Sequence, residues 1–153
     1  MNDRNIITKL ELLEFFPYRL SILEQRVSQS VAKPYKDLHN LSRNDWRAMA
    51  TLALLQPITA TDIASFTKLE KMQVSRAVQR LKSEGLLVSQ PDPEDKRAIY
   101  YRLSPKGVEI YNDIVPKVID KERDILSCLT ASERSTLKHL LDKVDAHLAD
   151  QDR

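Results

Sequence analysis

Between residues 70 and 84 the chain carries amide, hydroxyl and guanidinium groups at a spacing that places them on one side of a helix. The opposite, apolar side of this predicted helix consists of Val74, Ala77, Val78 and Leu81. The polar side chains left facing outward are Gln73, Ser75, Arg76, Gln79, Arg80 and Lys82. An amide can pair with adenine, a guanidinium can pair with guanine, and Ser, Arg and Lys also bind phosphates. Taken alone, the pattern fits a helix in the DNA major groove and a solvated helix face about equally.

A second candidate for DNA contact is the charged loop in PDPEDKRAIYYRL, residues 91–103. It joins two strand-like segments, residues 86–90 and 98–103, so that Lys96 and Arg97 lie at the tip of a predicted hairpin. A basic side chain there can reach a minor groove. Asp95 lies on the same side of an extended chain as Arg97, and its carboxylate is expected to hold the guanidinium. The alternative is a loop that serves only solubility.

The distribution of charge favours the DNA interpretation. Residues 66–107 contain nine basic and five acidic residues, a net charge of +4, whereas the whole chain carries only +2. The remainder of the chain is therefore acidic, and the positive charge is concentrated in the segment that contains both candidate elements.

The elements that must position these side chains can be predicted from capping residues and apolar spacing. We expect helices over residues 17–33, from Ser42 to Pro57, from Thr59 through Ala64, and over residues 70–84, the last ended by Gly85. The two strands follow. The order helix, helix, helix, strand, strand over residues 42–103 is that of a winged helix-turn-helix, in a chain that is mainly α (α+β).

Two further helices are predicted after the strands, and both carry apolar stripes. One begins at Ser104 and Pro105 and covers residues 105–127; the other follows the capping pair Thr130 and Glu133 and covers residues 131–149. The middle lobe is too small to cover these stripes together with that of the first helix. We therefore expect residues 1–153 to form one domain, with a lobe at 42–103 and a homodimerisation region at 6–33 and 105–149. A monomer whose helices close on themselves is the alternative.

Composition and motif content exclude several classes of protein. The 153 residues are 42% hydrophobic and 30% charged, no apolar run is long enough for a membrane span, and the N-terminus lacks a signal-peptide pattern. One cysteine, Cys128, cannot form an internal disulfide, which indicates a cytoplasmic protein. No catalytic or phosphate-loop motif is present, so we expect neither an enzyme nor a cofactor.

The cysteine and the histidines are weak candidates for sensing. Cys128 lies on an apolar pattern before the last helix and is expected to be a core residue. His39, His139 and His147 are too few and too scattered for a metal signature, although a site between subunits is the minority alternative. We therefore predict no metal site.

Residues 74–107, VSRAVQRLKSEGLLVSQPDPEDKRAIYYRLSPKG, resemble the signature stretch of the MarR family of bacterial repressors. The family pattern D-x-R stands here as Asp95 and Arg97, and five residues separate it from Leu103 and Ser104. The resemblance implies a homodimer in which helix 70–84 reads a half-site of a pseudo-palindromic operator and Arg97, held by Asp95, enters the minor groove. Where the family commonly has Arg in the first wing strand, this chain has Ser89.

The family resemblance also implies regulation, usually repression that a small phenolic or carboxylate ligand relieves. Aromatic walls with one cation suit an aromatic acid, and the candidate wall residues are Tyr18, Arg19, Tyr35, Trp46 and Met49. The alternative function is a winged-helix module that docks proteins without binding DNA. Such a module would need exposed apolar side chains at the wing tip, and residues 91–97 offer only prolines.

Overall fold

The computed structural model describes residues 8–95 and 97–151, which form six α-helices, one short 3-10 helix and a three-stranded sheet. Lys96 lies outside the described residues, as do residues 6 and 7 of the predicted dimerisation region. The helices and strands in chain order are α1 Phe16–His39, α2 Arg43–Leu55, β1 Ile58–Thr59, α3 Ala60–Thr67, α4 Lys71–Ser83, β2 Leu87–Pro91, β3 Ile99–Leu103, α5 Pro105–Ile125, the 3-10 helix Leu126–Cys128 and α6 Ala131–Gln151. The predicted winged helix-turn-helix, mainly α with a small antiparallel sheet, is confirmed.

Reciprocal caps define the starts of two helices in the lobe. Asp45 N–H donates to Ser42 Oγ (3.1 Å), and Ser42 N–H donates to Asp45 Oδ2 (2.8 Å). Thr59 and Asp62 repeat the arrangement at α3, with Thr59 N–H donating to Asp62 Oδ2 at 2.9 Å. Each pair satisfies backbone N–H groups that have no partner within the helix. The predicted starts of α2 and α3 are therefore confirmed.

The first helix is longer than predicted. It continues past residue 33 to His39 with Pro34 inside it, although a proline there removes a helical hydrogen bond. Pro34 and Tyr35 are both buried, so burial of the helix end against the lobe offsets that loss. The helix ends where Asn40 adopts a left-handed conformation with φ of 52°.

The sheet has the order β1-β3-β2 and is antiparallel throughout. Strand β3 is central: Tyr101 lies opposite Ile58 in β1 and opposite Ser89 in β2. The sequence prediction missed β1, because two residues are too few to show an alternating pattern. This third strand fixes the wing to the start of α3.

The start of α5 lies against the end of α4 at very close range. Leu86 N–H donates to Leu81 O at 2.8 Å beyond Gly85, which has a φ of +73°. Ser104 N–H donates to Leu86 O (2.9 Å), and Ser104 Oγ donates to Gly85 O (2.6 Å). A Cβ atom on Gly107 would lie 2.2 Å from Leu86 O. Only glycine fits at residue 107 without moving one of the two backbones.

Much of the apolar surface outside the lobe is left exposed by the part of the chain that the structure describes. No residue of α6 is buried, and the exposed apolar side chains of this helix include Leu137, Leu140, Leu141, Val144 and Leu148. The segment leading into α1 and the first turns of α1 expose a second apolar set: Leu10, Leu12, Leu13, Phe15, Phe16, Leu20 and Leu23. Exposed apolar area of this extent is typical of a surface that another chain covers.

None of the helices within residues 8–95 and 97–151 is both long enough and apolar enough to cross a membrane.

We predict that Gly107→Ala lowers the free energy of unfolding by about 1–3 kcal/mol, because the added Cβ overlaps the Leu86 carbonyl oxygen. Urea unfolding followed by circular dichroism measures this. Gly85→Asn is the matched control, since no atom lies within 4 Å of its added Cβ and Asn tolerates positive φ better than other residues. Equal or smaller loss in Gly107→Ala than in Gly85→Asn would contradict the close-contact explanation.

Candidate nucleic-acid interface

The outward face of α4 is exposed as the sequence predicts. Val74, Ala77, Val78 and Leu81 are buried in the lobe. The candidate DNA-contacting side chains are exposed: Gln73, Ser75, Arg76, Gln79, Arg80 and Lys82. Helix α4 follows α3 after a short connection in which Lys68 has a left-handed φ of 56°. This is the helix-turn-helix arrangement that projects its second helix from the body.

Four residues of α4 lie farthest from the buried face. At 100° per residue, Met72, Arg76, Gln79 and Ser83 form the stripe opposite Val74, Ala77, Val78 and Leu81. Sequence reasoning missed Met72, whose side chain is 64% exposed. Its position one helical turn before Arg76 indicates that Met72 lies on the same outward face.

The two glutamines of α4 are not equivalent. Glu70 N–H donates to Gln73 Oε1 at 3.0 Å, so the Gln73 amide caps the start of the helix. Bidentate pairing with adenine needs both amide atoms, and Gln73 would have to release that bond. Gln79, on the outermost stripe, makes no hydrogen bond within the described residues and is the better placed of the two.

Arg80 is turned away from the outer face and towards the lobe. Its Nη2 donates to Asn40 O at 2.5 Å, and its Nε lies 3.3 Å from Asp45 Oδ2. The Asp45 side chain is only 3% exposed, and a buried carboxylate requires a paired charge. The conformation of Arg80 therefore does not match the predicted base contact. In this conformation the Arg80 side chain links α4 to the start of α2.

The acidic residues of the wing loop, which is residues 92–98 between β2 and β3, hold the described part of its backbone in place. Asp92 Oδ1 accepts from the N–H groups of Glu94 (2.7 Å) and Asp95 (3.0 Å). Ala98 N–H donates to Asp95 O, and Asp92 N–H donates to Ala98 O, both at 2.9 Å. These bonds hold the described residues of the loop, on both sides of residue 96, in one arrangement, which lowers the entropy lost on docking.

The predicted ion pair between Asp95 and Arg97 is replaced by a backbone contact. Asp95 Oδ1 accepts the main-chain N–H of Arg97 at 2.9 Å, and no ion pair between the two side chains occurs within the described residues. The guanidinium of Arg97 stays exposed beside a groove of about 380 Å³ between the wing and the start of α3, which Thr59, Thr61 and Tyr101 also line. Lys96 lies outside the described residues, so its contact with DNA stays a prediction.

Hydrogen bonding lowers the pKa of Asp92. The Asp95 N–H contributes most, followed by the Glu94 N–H, and slight desolvation opposes them. Because both bonds favour the ionised carboxylate, the loop geometry is tied to the charge of Asp92.

The aromatic candidates for a ligand site are partly brought together. Tyr35 stacks on Trp46 with ring centroids 5.7 Å apart, and Trp46 stacks on Tyr111 at 5.6 Å. This stack joins α1, α2 and α5, and burial raises the pKa of Tyr35, against an opposing effect of Arg43. Tyr111 was missed as a site residue because its position on the apolar stripe of α5 indicated core packing.

The remaining ligand candidates do not join that cluster. Tyr18 and Arg19 line a groove of about 470 Å³ near the start of α1, and the 16 positions from Arg19 to Tyr35 correspond to about 24 Å of helix. Met49 is fully buried in the core, so it lines no open groove. Tyr35 lines a separate groove of about 350 Å³ with Lys36, Ser42 and Arg43. Within one protomer, the five predicted residues thus form no common wall.

The candidate sensing residues are dispersed. Cys128 is exposed, so its assignment to the core is wrong for this chain; it ends the 3-10 turn before α6, where no element of the lobe covers it. His39 Nε2 lies 2.8 Å from Asp113 Oδ2, and His147 hydrogen-bonds Gln151 at 3.0 Å. Across residues 8–95 and 97–151, no three His, Cys, Asp or Glu side chains are grouped to hold a metal ion.

Comparisons with known proteins converge on one family. The MarR family model matches residues 39–98, from the end of α1 through the wing loop. The HTH-type transcriptional regulator PecS of Dickeya dadantii is 29% identical over 133 residues, covering 85% of this chain and 78% of PecS. The homoprotocatechuate degradative operon repressor of Escherichia coli is 25% identical over 125 residues, covering 81% of this chain and 84% of the repressor.

A solved structure shares the fold. The crystal structure of a mutant MarR from Escherichia coli complexed with operator DNA has a TM-score of 0.80 and 22% sequence identity, covering 89% of this chain and 99% of that chain. The similarity therefore extends beyond the lobe to the flanking helices.

We predict that the wing loop loses order as the pH falls below the ordinary aspartate pKa of about 3.9. The folded-state pKa of Asp92 is lowered, so its hydrogen bonds stabilise the loop above the unfolded-state value. This stabilisation is lost as the pH falls through the folded-state pKa. Carboxyl and amide NMR shifts of the loop, recorded during an acid titration, measure both events.

Asp92→Asn is the control for this titration, because its side-chain oxygen can still accept the two bonds but does not titrate. Its loop amides should not show the Asp92 transition. An Asp92 pKa at or above the ordinary value would show that the two bonds do not order the loop.

Proposed function

Because the chain belongs to the MarR family of transcriptional regulators, we propose that it binds an operator in double-stranded DNA as a homodimer. In each protomer, α4 lies in the major groove and the wing reaches the adjacent minor groove. The observation that carries this proposal is the wing loop: carboxylates order its backbone and leave the Arg97 guanidinium exposed at the tip. An exposed cation on a preorganised loop is suited to a narrow, negatively charged groove.

The DNA-binding lobe that we propose comprises residues 42–103, and the dimerisation region comprises residues 6–33 and 105–149. The exposed apolar side chains of α6 and of residues 10–23 support this division, because the described residues of one chain leave them uncovered. A second copy related by a two-fold axis would bury both sets and present two copies of α4 to successive major grooves. The operator would then be pseudo-palindromic.

Base reading is assigned to the outer face of α4. Arg76 and Gln79 lie on the stripe farthest from the core and carry the groups that pair with guanine and adenine. Ser75 and Lys82 lie on one flank of the helix, where side chains contact phosphates. Gln73 can still donate its side-chain amide N–H to DNA, because only its Oε1 is used in the helix cap. Arg80 contributes by holding α4 against Asp45.

The regulatory consequence we propose is repression, supported by the similarity to the homoprotocatechuate degradative operon repressor. A dimer bound to an operator that overlaps a promoter would exclude RNA polymerase. Because the operator is chromosomal DNA, we propose that this protein acts in the cytoplasm. No observation favours the alternative of a protein-docking wing, because the described tip residues carry charged groups and prolines.

The effector we propose is an aromatic acid. The groove beside Tyr35 is lined by two cations, Lys36 and Arg43, of which Arg43 is paired with Glu24 in the same groove, while Tyr35 itself is only 3% exposed. A ligand carboxylate would pair with Lys36 and compete with Glu24 for Arg43. The aromatic part of this proposal rests on the similarity to the homoprotocatechuate degradative operon repressor. Since Ser42 also lines this groove and caps α2, a ligand there would act on the helix that carries Asp45.

We predict that Arg97→Ala weakens operator binding by about 1–3 kcal/mol per half-site, because the minor-groove contact is lost. Fluorescence anisotropy with an operator duplex selected from a random pool, at two salt concentrations, measures the dissociation constant. The wild-type affinity should fall steeply with salt, as expected when phosphates are neutralised.

Arg123→Ala is the matched control for charge, since Arg123 lies on α5, outside the lobe, and pairs with Asp120. It should bind the operator like the wild type. An equal loss of operator affinity in both variants would show that Arg97 contributes only through net charge and makes no specific minor-groove contact. Failure of the wild type to select any sequence would refute operator binding itself.

We further predict that Leu141→Glu converts the dimer to a monomer, because it places a charge in the proposed apolar interface. Sedimentation velocity measures the change in mass. Leu54→Glu, at an exposed leucine of α2 outside that interface, should remain dimeric. A dimeric Leu141→Glu, or a monomeric wild type, would contradict the proposed assembly.

A further inference from the structure

Met72 occupies an unusual place for an exposed apolar side chain. It is the second residue of α4, it is 64% exposed, and it shares the outermost stripe of the helix with Arg76, Gln79 and Ser83. A single exposed methionine on a protein surface needs no explanation. This one projects from the helix face that carries the base-reading groups.

The major groove offers one apolar group to such a side chain. Thymine presents a C5-methyl there, whereas the other base edges present hydrogen-bond donors and acceptors. The N-terminal residues of a recognition helix are those that contact base edges. A thioether side chain is flexible and polarisable, so it can adapt to a methyl group in a groove of irregular shape.

We propose that Met72 is a specificity-determining residue that packs against the C5-methyl of a thymine in each operator half-site. This inference rests on the proposed function and adds a base preference to it. Met72 and Arg76 are four positions apart, a rise of about 6 Å along the helix. Since base pairs are about 3.4 Å apart, the thymine lies roughly two base pairs from the base that Arg76 contacts.

The neighbouring residues leave Met72 as the apolar contact of this helix. Gln73 is engaged in the cap of α4, and Arg80 is engaged with Asp45 and Asn40. Arg76, Gln79 and Ser83 complete the stripe with polar groups. Of the exposed side chains on the described α4, Met72 is therefore the one suited to a methyl group.

The test replaces thymines by deoxyuridine, one at a time, in both half-sites of the selected operator. This change removes only the C5-methyl and keeps the base pair. At one position, the wild-type protein should lose about fourfold in affinity per methyl, or roughly fifteenfold for the symmetric pair. Met72→Ala should bind the two duplexes equally, and Met72→Leu, which keeps an apolar side chain, should still distinguish them.

The control variant is Leu54→Ala, which truncates an exposed apolar side chain on α2 and should distinguish the duplexes like the wild type. If no deoxyuridine substitution weakens the wild type, the inference is wrong, while operator binding stands. If the loss persists in Met72→Ala, another residue reads the methyl and the inference is again wrong. If no operator can be selected at all, the proposed function fails and the inference with it.

Discussion

The carbonyl oxygen of Leu86 is the point at which the end of α4, the base of the wing and the start of α5 meet. It accepts the N–H of Ser104 at 2.9 Å, and residue 107 approaches it so closely that a Cβ has no space. This bond, the bond from Ser104 Oγ to Gly85 O and the missing side chain at residue 107 together set the position of α5 relative to the end of α4 and the base of the wing. In the dimer that we propose, the same junction sets how far apart and at what angle two copies of α4 meet DNA.

Carboxylates in this lobe act mainly on the backbone and on one arginine. Asp92 and Asp95 accept N–H groups in the wing loop, and Asp45 caps α2 while pairing with Arg80. A charged loop before a strand thus has a physical reason: acids order the turn from which a cation projects. Their negative charge opposes DNA, and that cost is offset because the loop does not have to be ordered on binding.

The pattern of the sequence was sufficient for much of the fold. Capping pairs at Ser42 and Thr59 located the starts of α2 and α3, and the apolar spacing of α4 identified its buried face correctly. These features depend on residues close in sequence, which is why they could be predicted. The end of α1 and strand β1 could not, because Pro34 stays helical through burial against the lobe and β1 exists only through pairing with β3. Both depend on contacts between distant segments.

The same distinction applies to the candidate site. Exposure of Arg76, Gln79 and Arg97 followed from local pattern and turn position. The conformation of Arg80 did not, since its partners Asp45 and Asn40 are far away in sequence. Within one protomer the five candidate ligand residues form no common wall, because Tyr18 and Tyr35 are separated along one helix. Tyr111 joins the aromatic stack from α5, which is far away in sequence.

Dimethyl sulfate footprinting of the 153-residue protein on its selected operator reports directly whether α4 and the wing occupy adjacent grooves. The reagent methylates guanine N7 in the major groove and adenine N3 in the minor groove, so one experiment reports both contacts. We expect two sets of protected guanines about one helical turn apart. Protected adenines should flank each set on the side that the wing reaches. Protection of guanines alone, or of a single half-site, would contradict a dimer that places α4 and the wing in adjacent grooves.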